Sequence, residues 1–331
     1  MTMAFPLPEE GFLDPTNWWM EEVEKRSDGR LDITPYYNES LVPASETLSA
    51  IREGRVTGGW ISNAYYPNEM PLYQVAGLPY ETYDGPAQAQ ALQKLLDENE
   101  DFRAEFDDAG LHLAYFVAYG PTVVATKEPV ESVEDLAGKR FRAAGPFASV
   151  LKELGADAVF LDAGEIFSAV ERGVIDGVGG FPFDTAVDLG LAEAVPQITD
   201  IGYGHYASSS IGVSKAFYDG LPADLQQVID EVSAELVAEK NVEFVTELEK
   251  SRCERLLELG GEVNVWDGAD RAQVKESIGD QYVAAYKNTV VKAGHDQATV
   301  DDFYDAFHAA YDEFAAESGY ESSLNQCGSS S

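Results

Sequence analysis

The sequence predicts an α/β protein of two domains, and three observations lead there. Short β-like runs alternate with helical patterns through the first two-thirds, the order that a sheet wrapped in helices requires. The last third changes character: Ala223–Leu259 contains neither Gly nor Pro and carries apolar residues at Leu225, Val228, Ile229, Val232 and Leu236, the spacing of one long amphipathic helix. The chain has 331 residues, 45% hydrophobic and 11% aromatic, enough for two cores rather than one.

Ala4–Leu7 reads as the first strand, followed by a loop at Pro8–Gly11. Asp14 and Pro15 signal a helix start, with Trp19 and Val23 on one face and Gly29 as the stop. Strands are expected at Leu31–Thr34 and Thr57–Ile61, around a helix at Glu46–Glu53, and the second strand leads to a loop at Ser62–Pro67. One helix is expected over Ala87–Phe106. A second unit starts near Gly120, with strands at Val123–Ala125, Arg140–Ala143, Ala158–Leu161 and Val174–Gly177. Helices at Ser132–Asp135, which has capping-box spacing, Ser149–Leu154 and Glu165–Glu171 alternate with them. Ser208–Ser214 reads as a strand returning to the first unit. The helix from Ala223 spans roughly 55 Å at 1.5 Å per residue, long enough to cross two lobes. Helices at Arg271–Val291 and Thr299–Ala316 follow, and Gly328–Ser331 is expected to be disordered.

Twenty-two basic against 59 acidic residues give a formal charge of −37. Such a surface repels phosphate backbones and anionic headgroups, so no nucleic acid is expected as a partner. The acidity has two readings, a strongly solvated surface or a high-salt habitat in which mutual repulsion is screened. No run reaches the roughly 18 apolar residues of a membrane span, so no direct membrane insertion is expected. Met1–Leu7 is too short for a leader, which leaves a cytosolic protein or a mature form without its leader. Cys253 and Cys327 either form one bridge pinning the tail to the long helix or stay free thiols; two thiols make neither a disulfide framework nor a zinc site. The four histidines lack metal-ligand spacing, and Gly177-Val178-Gly179-Gly180 lacks the pattern of a phosphate or dinucleotide loop. No cofactor or metal is expected.

Taken in order, KRSDGRLDI, SLVPASETLSAIREGRV, AGLPYE, VESVEDLAGKRFR, LGADAVFLDAGEIFSAVERGVIDG and LPADLQQVIDEV resemble the binding proteins of TRAP transporters, the DctP family, from about Phe5 to Gly261. The resemblance implies a two-lobed, periplasmic-binding-protein-like fold, with crossing hinge strands and a long helix spanning both lobes. On that basis residues 1–119 with about 208–245 make lobe I, 120–207 with about 246–322 make lobe II, and 323–331 form a flexible tail. The implied role is that of an extracytoplasmic, monomeric binder without enzymatic chemistry. It takes a small-molecule solute between the lobes and delivers it to the small and large TRAP membrane subunits.

The resemblance also nominates a site. In the family, the arginine at the position of Arg142 pairs with the substrate carboxylate; a guanidinium offers a planar fork of donors and keeps its charge in a closed cleft. The plain alternative is a structural ion pair, the role expected of Arg140. Against the sialic-acid branch, Ser62 stands for a glutamate, Thr122 for a second arginine and Gly180 for an asparagine, removing polar anchors for a large hydroxylated ligand. Aromatic residues stand nearby instead: Tyr65 and Tyr66 after one strand, Phe181 and Phe183 after another, and Tyr119 near the hinge. The ends of strands are where α/β sheets bind ligands. Trp60, inside a strand, reads as core. Glu9 and Glu10 lie in the first loop, which borders the cleft in this family, and Asp162, Glu165, Asp176 and Asp184 read as surface or capping residues.

The favoured ligand is a small monocarboxylate such as a 2-oxo, hydroxy or aromatic acid. The alternative is a small amine or quaternary ammonium in a cation–π cage of Tyr65, Tyr66, Phe181 and Phe183, with Glu9 or Glu10 as counter-charge. A rival of another class is an α/β lyase or transferase with a cleft active site, for which neither a cofactor motif nor a nucleophile–base pair is present. The charge imbalance yields a first prediction. Thermal midpoints are expected to rise as NaCl goes from tens of millimolar towards molar, and a flat or falling trend would reduce the acidity to a solubility feature.

Overall fold

Apolar runs in this chain are short, so its strands are short, and in the computed structural model they gather into two sheets. The structure describes residues 1–9, 11, 13–161, 163–205, 209–266, 268–278 and 280–327. In chain order the elements begin β1 (Thr2–Ala4), α1 (Asp14–Arg26), β2 (Thr34–Tyr36), α2 (Thr47–Arg52) and β3 (Gly58–Ser62). Then come α3 (Gly85–Glu98), α4 (Glu100–Asp108), β4 (Leu111–Val117), β5 (Thr122–Thr126), β6 (Arg140–Arg142), α5 (Gly145–Glu153) and β7 (Asp157–Val159). They continue with α6 (Ala163–Glu171), β8 (Gly177–Pro182), α7 (Phe183–Asp188), β9 (Gln197–Asp200), β10 (Ser209–Ser214), α8 (Lys215–Asp219) and α9 (Ala223–Glu235). The last are α10 (Asn241–Glu258), β11 (Glu262–Val265), α11 (Gly268–Ile278), α12 (Gln281–Ala293) and α13 (Gln297–Ala315).

Lobe I holds the sheet β2-β1-β3-β10-β4 and lobe II the sheet β11-β9-β5-β8-β6-β7. The chain crosses from β4 to β5 and back from β9 to β10. Each entering strand lies antiparallel to both neighbours, β5 to β8 and β9, and β10 to β3 and β4. The Thr122 amide donates to the Gly204 carbonyl at 3.0 Å, tying the two crossings together. The returning strand expected at Ser208–Ser214 is β10, with Ser208 outside the described residues.

Each sheet is covered on both faces. Trp19, Val23, Leu225, Ile229 and Val232 pack one face of the lobe I sheet, and α2, α3 and α4 the other. In lobe II, Phe141, Phe147 and Leu151 fill one core and Val123, Val178, Phe183 and Ile198 the second. The helix expected over Ala223–Leu259 runs from α9 to α10 through one π-type turn at Leu236–Lys240. A π turn shifts the helical register by one residue, which buries both Leu236 and Val237; the freed Val237 carbonyl accepts from Gln90 Nε2 at 3.2 Å.

Several expectations need correction. The helix expected over Ala87–Phe106 is two, because Asn99 turns extended and caps α4, its side chain accepting from the Phe102 amide at 2.8 Å. The Arg271–Val291 helix is likewise split into α11 and α12. Strands β4, β9 and β11 have no counterpart among the expected strands. Helices α12 and α13, assigned to lobe II, pack on lobe I: Tyr286, Val290, Phe303 and Phe307 share a core with Leu92, Phe102 and Phe106. Within the supposed flexible tail, Ser323–Gln326 form a 3₁₀ turn and Cys327 is bonded to Cys253, so the two cysteines make one bridge. Gly328–Ser331 lie outside the described residues.

Asn99 carries the break between α3 and α4. Asn99→Ala is expected to lower unfolding free energy by about 1 kcal/mol, as loss of an N-cap does, while Asn99→Asp preserves it. Chemical denaturation checks this, and an unchanged Asn99→Ala variant would show that packing alone sets the break.

Candidate functional site

Strand β6 is three residues long, and its alternation decides where two side chains go. Phe141 enters the lobe II core, and Arg142 ends the strand as a residue only 7% exposed. Its Nε donates to the Leu161 carbonyl at 3.1 Å. The guanidinium carbon lies 4.5 Å from the Phe181 ring centre and 5.7 Å from that of Phe160. Strands β6, β7 and β8 are parallel, and Arg142, Phe160 and Phe181 sit together at their carboxyl ends, where open α/β sheets bind ligands. Phe160 is 58% exposed, so the buried cation lies beside an open aromatic face. A cation over aromatic rings is attracted by their quadrupoles and keeps its charge after leaving water.

The lobe I side is built at the end of β3. Tyr65 is 40% exposed and meets Trp60 and Tyr66 edge-on, with centroids 6.3 and 6.4 Å away. Trp60, expected in the core, is half-buried, and its indole N–H donates to the Tyr119 hydroxyl at 3.3 Å. Tyr119 is buried at the first crossing, and burial raises its pKa above the usual phenol value. Position inside a strand made Trp60 read as core, because the sequence carries no sign of which face of the strand meets solvent; Phe160, just past the end of β7, was not singled out from the sequence.

Other nominated residues have structural duties. Tyr66 is buried, its hydroxyl held between the Leu48 amide and the Ala44 carbonyl, each at 3.2 Å, so it belongs to the lobe I core rather than to an open wall. Phe183 is fully buried in a lobe II core as the first residue of α7. Gly180 has φ +85° and packs on Phe147, so a side chain there would be strained. Ser62 Oγ accepts from the Ala64 amide at 3.4 Å, and Thr122 is buried at the start of β5. Glu9 is exposed, with its main-chain oxygen accepting from Asn17 Nδ2 at 2.6 Å; Glu10 and Asp162 lie outside the described residues. Among the described residues, no three His, Cys, Asp or Glu side chains converge to hold a metal ion, and no helix is long and apolar enough to cross a membrane.

Asp184, expected at the surface or as a cap, is 2% exposed at the junction of the lobes. The Thr185 hydroxyl donates to it at 3.3 Å. Burial, reinforced by the negative charges of Asp188 and Glu249, pushes its carboxyl up to about 7. The folded-state value then exceeds the unfolded one, near 3.9. The neutral acid stabilises the fold fully below about pH 4, and that contribution is lost as pH rises through about 7. Asp184→Asn is therefore expected to melt with the wild type near pH 4 and above it at pH 8. Equal midpoints at pH 8 would contradict the assignment.

Residues 13–289 match the family described as bacterial extracellular solute-binding protein, family 7, DctP. The chain is 27% identical over 249 residues to the ectoine-binding periplasmic protein TeaA of Halomonas elongata, covering 73% of this chain and 71% of that one. It is also 27% identical over 229 residues to a monocarboxylate 2-oxoacid-binding periplasmic protein of a Nostoc species, covering 65% of this chain and 59% of the relative. In fold it is similar to a TRAP solute-binding protein from Rhodoferax ferrireducens in complex with copurified benzoate, with a TM-score of 0.83, 20% identity, and 95% and 99% of the two chains covered.

Proposed function

The chain belongs to the bacterial extracellular solute-binding protein family 7, DctP, and on that premise we propose that it captures a small monocarboxylate on Arg142. The family and fold are those of TRAP periplasmic solute-binding proteins, which bind small solutes outside the cytoplasm and work with membrane subunits rather than as enzymes. The finer reading rests on one observation. A permanently charged guanidinium lies almost buried at the carboxyl ends of three parallel strands, backed by Phe181 and bordered by the exposed ring of Phe160. A carboxylate answers the charge, and a flat or compact apolar body suits the rings. The 2-oxoacid-binding relative and the benzoate-bound neighbour support a single acid group. Closure of the lobes around the solute would follow from contacts made to both sides at once. The protein acts as a monomer in this reading.

The ectoine-binding relative keeps the cationic alternative in view. The proposed cage is poorly supplied, however. Tyr66 and Phe183 lie in cores, and Phe181 is stacked on Arg142, which leaves Tyr65 as the exposed ring among the four.

A thermal-shift panel of small acids against small amines separates the two, since a ligand of the folded state raises its midpoint. Acids are expected to score, and a response to amines alone would reject the carboxylate. With the best acid, calorimetry on Arg142→Ala is expected to show a loss of about 2–5 kcal/mol, from a carboxylate left without its buried partner. Arg142→Lys is expected to weaken binding as well, because an ammonium lacks the bidentate fork. Near-unchanged affinity in both variants would remove Arg142 from the site.

A further inference from the structure

The chain crosses between the lobes again after the solute-binding elements are complete. Helix α11 belongs to lobe II, where Trp266, Val274 and Ile278 join the core of Phe141 and Phe147. Helices α12 and α13 then pack on lobe I. Beyond α13 the chain returns. Ser318 Oγ hydrogen-bonds Asp84, which caps α3 in lobe I through the Ala87 amide at 2.8 Å. Leu324 is buried among Val123, Val178 and Leu256 of lobe II, and Cys327 is bonded to Cys253 on α10. The disulfide therefore closes a ring, 74 residues in sequence separation, that leaves lobe II, wraps lobe I and comes back.

The returning segment is also held at its middle. Glu249 on α10 is buried, and burial raises its pKa. Its carboxylate accepts from the Tyr320 hydroxyl at 2.5 Å, the Ser323 amide at 2.6 Å and the Ser322 hydroxyl at 3.3 Å. Every hydrogen bond that this side chain accepts among the described residues comes from the returning segment. Stripping those donors would leave a buried carboxylate unsatisfied. The same group abuts the β4–β5 crossing, since a Cβ placed on Gly120 would lie 2.5 Å from Glu249 Oε1. Returning segment, long helix and crossing strand thus meet at one carboxylate.

We propose that residues 316–327 are a strap, anchored by the disulfide and fastened at Glu249, that limits how far the two lobes open. With the bridge intact, lobe I cannot swing away from lobe II by more than the slack in the segment between Ala316 and Ser323. About eight residues span at most roughly 28 Å even fully extended, and here they are folded onto Glu249 and Asp84. Without the bridge, Leu324 and the Glu249 hydrogen bonds are the remaining fastening at the lobe II end.

The test uses the full chain without solute, so that its result is independent of the ligand assignment. Oxidised protein is compared with protein reduced after folding, with the paired Cys253→Ser and Cys327→Ser variant, and with Tyr320→Phe carrying the intact bridge. X-ray scattering in solution is expected to show a radius of gyration above the roughly 20 Å of a compact chain of this length when the bridge is broken, and a smaller rise in Tyr320→Phe. Amide exchange is expected to quicken about tenfold over residues 316–324 and at the 118–121 crossing, while β3, β5, β8 and β10 stay protected. An unchanged radius in the reduced protein overturns the proposal. Exchange that quickens equally through the lobe II sheet also overturns it, by making the bridge a stabiliser of that lobe alone. If the serine variant fails to fold, the reduced native protein decides between these outcomes.

Discussion

The helical rod from Ala223 to Glu258 supplies side chains to three separate hydrophobic cores, so the two lobes are referred to one backbone. Leu225, Ile229, Val232 and Leu236 pack on the lobe I sheet, Val245 reaches the core beneath α3, and Leu256 enters lobe II. A straight α-helix keeps one apolar stripe facing one way. The π turn at Leu236–Lys240 changes the register where the rod leaves the first core, letting its second half serve other surfaces. Arg252 on the same rod pairs with Asp188 of α7 at 2.5 Å. Gly11, in the loop after β1, approaches that ion pair so closely that no side chain would fit. The first loop of lobe I is thereby seated against lobe II.

Charge imposes a second order on the structure. With 59 acids and 22 bases, most carboxylates have no cation to meet, and those forced inside rely on neutral donors. Glu105 takes the Leu72 and Tyr73 amides at 2.5 and 3.1 Å, and Glu249 takes donors from the C-terminal segment. Asp200 and Asp188 meet cations instead, Arg271 at 2.8 Å and Arg252 at 2.5 Å. Against that background Arg142 stands out for its setting. It is a nearly buried cation laid on aromatic faces at the carboxyl ends of parallel strands.

The sequence by itself determined the fold class, the order of most strands and helices, the reach of the long helix and the family. Those properties follow from local spacing: apolar period, Gly and Pro stops, and motifs kept in order along the chain. It also singled out Arg142, through motif position rather than any physical signal in the residue. The break at Asn99 was not legible, because Ala87–Phe106 holds no Gly or Pro, and an asparagine is as compatible with a helix interior as with a cap until packing chooses.

Tertiary structure decided the rest. Whether α12 and α13 cover lobe I or lobe II depends on which apolar surface lies within reach, and sequence adjacency pointed to the wrong one. Tyr65 and Tyr66 are neighbours of the same type, yet one is 40% exposed and the other is locked into the core by two main-chain hydrogen bonds. Phe181 and Phe183 part in the same way, the first onto Arg142 and the second into a core. The choice between a bridge and two free thiols was open until the fold brought the Cα atoms of Cys253 and Cys327 within 5.7 Å. Local pattern sets which elements form; burial and long-range contact set which side of each element meets solvent.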